Sequence, residues 1–205
     1  MDPVTHVLSA ALWTEPALRR PTEASQLPLW RARAAVALGA LLPDADGLVG
    51  WVSLSLYAKY HRVVTHSLVG LPLLIVAAAL IARHWPVRWL LPSLRPAAGQ
   101  PDVRPRWRPL LGLAAIGAAW HLIGDVVTAW GIWPLWPFSS IDLSLARVNS
   151  IEWPLLMLTV LAAGAQYWLL ERARRRAAWA TAALWLLAAA GYALLRPQLL
   201  GVPFA

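Results

Sequence analysis

The sequence predicts an all-α integral membrane protein: a helical bundle of about four long transmembrane helices plus two short N-terminal helices. Three observations predict it. Hydrophobic residues make up 59% of the 205-residue chain and charged residues 14%, and the mean hydropathy is +0.54, which is more apolar surface than a soluble domain of this size can hide. The apolar residues gather in runs close to the ~20 residues that cross a ~30 Å hydrocarbon core. The cations, nearly all Arg with Lys59 the only lysine, stand at the ends of those runs. That is how transmembrane helices are flanked, not how a polar face is laid out for nucleic acid, so no nucleic-acid partner is expected despite a formal charge of +8.

The elements follow in order. Asp2 and Pro3 read as an N-cap followed by proline at the first helical position, starting a short helix through about Trp13. A second short helix covers 33–42 and ends at Pro43. Trp51, Tyr57 and Tyr60, set among small and apolar residues in 47–60, suit headgroup depth. Thr65 is expected to N-cap a helix beginning at His66, with His61 on the loop before it. The long runs are 67–82, somewhat short, then 110–130, 153–170 and 177–195. The Pro- and Arg-rich stretch 85–109 reads as a loop. No internal repeat divides the chain, which is expected to be one membrane-embedded domain over 1–205, with the motif-bearing part in 1–154 and a C-terminal helical hairpin in 153–196. The absence of Cys excludes disulfides and thiolate metal sites. Met1-Asp2-Pro3 lacks the basic start of a cleaved signal peptide, so the N-terminus is expected to be retained.

Loop charge gives an orientation. Residues 83–108 carry six Arg against Asp102, and Arg172, Arg174, Arg175 and Arg176 follow the third long run. Residues 131–152 carry Arg147 as their only cation, and the tail only Arg196. The basic connections belong in the cytoplasm of a bacterial-type inner or plasma membrane. The ends bearing His66, His121, Asp125, Asp44 and Asp46 then face the extracytoplasmic side.

His121 and Asp125 lie one helical turn apart inside an apolar run, and an ionisable pair at membrane depth is a functional-site hypothesis by default. His6, Asp44, Asp46, His61 and His66 add matching chemistry. Imidazole and carboxylate are the ligands of zinc and other divalent hydrolase metals. Seven donors exceed what one ion needs and point to two or three divalent ions, with zinc expected; Asp44 or Asp46 would bridge ions or orient the attacking water as catalytic groups. Arg62 is expected either to bind an anionic substrate group or to anchor the interface. Blander uses stand beside these: a hydrogen-bonded structural His/Asp pair or a proton relay at 121 and 125, a solvated turn at Asp44 and Asp46, an exposed His61 and an interfacial His6. Glu152 either caps the third long helix or completes the site, and His84, among arginines, is left out.

Asp2-Pro3-Val4-Thr5-His6, Leu42-Pro43-Asp44-Ala45-Asp46, His61-Arg62-Val63-Val64-Thr65-His66-Ser67 and His121-Leu122-Ile123-Gly124-Asp125-Val126-Val127-Thr128 are followed by Gly131-Ile132 and Trp136-Pro137-Phe138-Ser139. In that order they resemble the YdjM-like family of membrane-bound metal-dependent hydrolases, over most of 1–154. That family is distantly similar to zinc phospholipases C and single-strand-specific zinc nucleases, whose trinuclear sites include a helical His-x-x-x-Asp pair. The resemblance implies that His121 and Asp125 match that pair and that His6, Asp44, Asp46, His61 and His66 match the remaining ligand motifs. Family members often carry Asp after the Pro-Phe-Ser segment, where this chain has Glu152. The expected function is hydrolysis of a phosphoester, lipid or lipid-linked by the depth of the site. Two rivals remain: a transporter or proton pathway through His121 and Asp125, and a non-catalytic membrane protein with a structural metal.

Overall fold

Asp2 opens the first helix as its cap. Its carboxylate accepts from the Thr5 backbone N–H at 2.8 Å and from the Thr5 hydroxyl at 2.6 Å, and Pro3 sits where no N–H is needed. In the computed structural model, which describes residues 1–19, 27–84 and 106–200, this helix, α1 (Pro3–Leu18), runs past the expected Trp13 and carries Pro16 inside it. The others are α2 (Leu29–Leu41), a 3₁₀ segment (Leu42–Trp51), α3 (Leu54–Tyr60), α4 (Gly70–His84), α5 (Trp107–Val126), α6 (Trp153–Glu171) and α7 (Arg175–Leu200). The chain is an all-helical integral membrane protein with, among the described residues, four helices long and apolar enough to span.

One of the four is not the expected one. Residues 67–82 were the first anticipated span, yet α4 has 15 residues, about 22 Å at 1.5 Å per residue, and falls short of a ~30 Å core. Its place is taken by Leu29–Trp51, because the rod does not stop at Pro43 but tightens into the 3₁₀ segment. Pro43 stands in the first turn of that segment, where its missing N–H costs nothing. The Pro- and Arg-rich stretch 85–109 lies outside the described residues up to 105, and 107–109 are already helical in α5.

The centre of the bundle is the α2/α5 crossing. A Cβ on Gly39 would fall on the Ala114 carbonyl, and one on Gly117 on the Val36 carbonyl, so the two glycines let the backbones meet. Ala35, Ala79, Ala82 and Leu110 fill the side toward α4. Leu12, Ala182 and Trp185 tie α1 to the α6/α7 hairpin, reinforced by Gln166, which donates to the Leu12 and Ala178 carbonyls at 2.8 and 3.0 Å. This crossing carries the C-terminal end of α2 to the C-terminal half of α5, at the end of the bundle where α1 begins. The opposite end holds Glu15, Arg19, Arg31, Arg33, Arg83 and Glu171, joined by contacts of Arg31 with the Arg83 carbonyl and of Arg19 with Glu171.

Candidate metal centre

Four separate segments deliver ionisable side chains to one end of the bundle. The 3₁₀ segment brings Asp44 and Asp46, the turn after α3 brings His61 and His66, α5 brings His121 and Asp125, and α1 brings His6. His66, His121 and Asp125 have no exposed surface. Two groups of donors converge, Asp44/His66/His121/Asp125 and Asp44/Asp46/His61, each with its atoms within 4.8 Å of one another. Asp44 belongs to both.

The protons of this network can be assigned from its partners. His121 Nδ1 lies 2.7 Å from the Ala40 carbonyl, which only accepts, so Nδ1 carries a proton and Nε2 is the atom turned toward Asp125 and Asp44. The Thr65 hydroxyl donates to Asp46 Oδ2 at 3.2 Å and therefore accepts from His66 Nδ1 at 2.9 Å, which bares His66 Nε2. The two Nε2 atoms lie 3.0 Å apart. Asp125 Oδ2 stands 3.0 Å from His66 Nε2 and 3.2 Å from His121 Nε2. Asp44 Oδ1, 3.7 and 3.5 Å from the same nitrogens, is buried without a hydrogen-bond partner. A tetrahedral ion with ~2.0–2.1 Å bonds holds its ligand atoms ~3.3 Å apart, and the five separations just given, 3.0 to 3.7 Å, bracket that value. With both imidazoles neutral these four atoms are all lone-pair donors, so the set fits a divalent metal.

His6 occupies a different position from its expected one. Its Nε2 meets the far oxygen, Asp125 Oδ1, at 3.1 Å, and its ring stacks on His121 at 3.7 Å between centroids. It stands behind Asp125, outside both convergent groups. Burial pushes His6 down to about 4, and burial also lowers His66. Both are neutral imidazoles at neutral pH.

Arg62 is turned inward. It holds a left-handed φ of 62°, a costly backbone state for a long side chain, and its guanidinium reaches Asp125 Oδ1 at 2.9 Å, the Thr128 hydroxyl at 2.7 Å and the Trp130 carbonyl at 2.9 Å. His61 is buried rather than exposed, with Nδ1 3.0 Å from Asp46 Oδ1. Thr65 caps no helix, since α4 begins only at Gly70, whose N–H is met by the Ser67 hydroxyl at 3.0 Å. Glu152 does neither of the jobs foreseen for it. Its side chain makes no cap hydrogen bond to α6; it pairs with Arg196 at 2.6 Å and Tyr192 at 2.8 Å, pinning the preceding loop to α7. Sequence reasoning missed Thr65 and Thr128 as parts of the network, and their only signal was adjacency to His66 and Asp125. The Met1 amine, also on Asp125, was missed too.

The pattern that defines the YdjM inner membrane protein family matches residues 1–197. No curated protein and no solved structure matches the chain.

Proposed function

The chain belongs to the YdjM inner membrane protein family, and from that premise we propose that it is a membrane-bound, metal-dependent hydrolase acting on a phosphoester. One observation carries the reading: two imidazole nitrogens and two carboxylate oxygens, one of them without a hydrogen-bond donor, converge inside a membrane bundle. Zinc or a similar divalent ion held there would lower the pKa of bound water toward ~7 and neutralise charge on a phosphoryl oxygen.

The side chains divide the work. Asp44, His66, His121 and Asp125 make a closed, buried four-donor set, and Asp44, Asp46 and His61 a three-donor set that leaves a position open. Asp44 bridges the two and is the catalytic carboxylate. Asp46 accepts from the Arg62 backbone N–H at 3.3 Å as well as from Thr65, so it fixes the turn that carries His61 and His66. Arg62 and His6 hold Asp125 in register from its far oxygen, a positioning role in place of the substrate contact expected for Arg62. A structural-metal reading has support of its own in the closed first set, since a four-ligand buried ion joining separate segments is how metals staple folds.

Activity separates the two. Purified protein in detergent is assayed against phosphomonoesters, phosphodiesters and phospholipids, with chelator and with metal restored. The proposal expects turnover that falls on chelation and returns with metal, and an Asp44→Asn variant that keeps at least one ion but loses turnover. Folded, metal-loaded protein that turns over none of these would leave the structural role. The site is further proposed to face the extracytoplasmic side, because the arginine-rich end lies opposite it. In intact cells a cysteine at Ser140 should then react with an impermeant thiol reagent and one at Arg174 should not; the reverse pattern contradicts this orientation.

A further inference from the structure

A narrow apolar slot of about 170 Å³ runs between α5 and α7 beside the His/Asp cluster. Trp120, Ile123, Gly124 and Val127 form its α5 wall, and Trp185 with Ala189, Ala190 and Ala193 its α7 wall. Its polar groups are already spent. The Trp120 indole donates to the Ser9 hydroxyl at 2.9 Å, Ser9 donates to the His6 carbonyl at 3.1 Å, and the Trp185 indole donates to Thr159 at 2.9 Å. A polar ligand would therefore find nothing to bond inside, while hydrocarbon loses nothing by entering.

Two further features say which hydrocarbon. Both walls belong to membrane-spanning helices, and the rim residues Ile123 and Leu186 are 58% and 41% exposed on the lipid side, so what reaches the mouth is a bilayer chain. The inner end abuts the proposed reaction centre. A Cβ on Gly124 would lie 3.0 Å from the His6 ring, and Met1, which lines the slot, places its amine on Asp125. Asp125 in turn lies within 4.8 Å of Asp44. A dry apolar cavity of ~150 Å³ takes a molecule the size of benzene, so this one holds a segment of a single chain.

We propose that the slot receives a hydrocarbon chain of the phosphoester cleaved at the His/Asp centre, which makes the substrate a membrane lipid. The chain enters sideways from the bilayer between α5 and α7 and brings its head group to the end of the bundle where Asp125 and Asp44 stand. This rests on the hydrolase reading for the head group; occupancy of the slot is tested without it.

The experiment has two arms on full-length protein. In the first, a phosphatidylglycerol with a diazirine in its acyl chain is crosslinked in nanodiscs and the adducts are mapped. Adducts should appear on the α5 and α7 residues of the slot, fall at least about tenfold in Ala190→Phe, and persist in Leu187→Phe, which changes the exposed face of α7 outside the slot. In the second, p-nitrophenyl hexadecyl phosphate and bis(p-nitrophenyl) phosphate share a scissile bond and differ in the tail. Ala190→Phe should raise KM for the tailed ester about tenfold and leave the short diester within about twofold. Ala193→Leu, a smaller filling, should do the same to a lesser degree and guards against misfolding, with bound metal as the check. Adducts scattered over the lipid-facing surface, adducts unchanged in Ala190→Phe, or both esters affected alike would overturn the proposal. If neither ester is cleaved while the slot adducts behave as expected, the hydrolase reading has failed, and with it the claim that the bound chain is a substrate's; the slot remains a lipid site.

Discussion

At the end of the bundle that holds Glu15, cations outnumber the carboxylate they serve; at the His/Asp end, acceptors outnumber the cations. Glu15 receives Arg19 Nε at 2.9 Å, Arg33 Nε at 3.0 Å and the Arg33 terminal nitrogen, so every oxygen has a donor. Burial on its own would raise this carboxyl, but the hydrogen bonds from Arg33 and Arg19 more than offset it and hold it below its usual range. At the other end Arg62, His6 and the Met1 amine all crowd onto one oxygen of Asp125. The second oxygen faces the His66 and His121 Nε2 atoms, and Asp44 Oδ1 has no donor. The donors at this end hold the frame, and the inward-facing atoms form the set that could hold a metal ion.

The contrast can be broken most severely at Asp125. Asp125→Ala removes a ligand and strands the buried Arg62 guanidinium, and losing one partner of a buried pair costs about 3–5 kcal/mol. Bound metal measured by mass spectrometry should drop from two ions per chain to one or fewer, and the thermal transition in detergent should fall steeply. A variant that keeps wild-type metal would mean that Asp125 serves only Arg62.

A smaller effect is expected at Thr65, whose hydroxyl joins His66 of the first donor set to Asp46 of the second. Second-layer partners of metal ligands typically contribute 10–100-fold in affinity. Thr65→Val should weaken zinc binding by roughly that range in a chelator competition, and Thr65→Ser should restore it. Equal affinity in Val and wild type would remove the relay.

The smallest effect belongs to the arginine end. Glu15→Gln should leave metal content unchanged and cost roughly 1 kcal/mol, as partly exposed ion pairs do. Because Glu15 titrates below its ordinary 4.5 in the folded chain, its contribution is complete above that pH and is lost as pH falls through the lower folded value. Melting curves of wild type and variant should converge in acid. A gap that widens there would reverse the sign.

The sequence exposed the His/Asp end more readily than the helices around it. His121 and Asp125 were visible because ionisable residues one turn apart cannot be accidental passengers in an apolar run, and Asp44 because it closes a helix. The first span was misplaced because hydropathy does not register that His66 is drawn into the cluster, nor that the Leu68 N–H is taken by the Pro134 carbonyl at 2.8 Å, which keeps 67–69 out of the helix. The continuation of α2 through Pro43 was hidden because proline reads as a stop in an α-helix yet is harmless at the start of a 3₁₀ turn. His6 could be assigned to the cluster from its residue type, but only three-dimensional geometry puts it behind Asp125 and outside both donor groups.

The most direct test of the central claim is a metal count on protein purified in mild detergent without chelator. The account predicts two divalent ions per chain, held through Asp44, with both lost in His121→Ala/His61→Ala and at least one kept in His61→Ala alone. Folded wild-type protein with no stoichiometric metal, even after incubation with excess zinc, would contradict it.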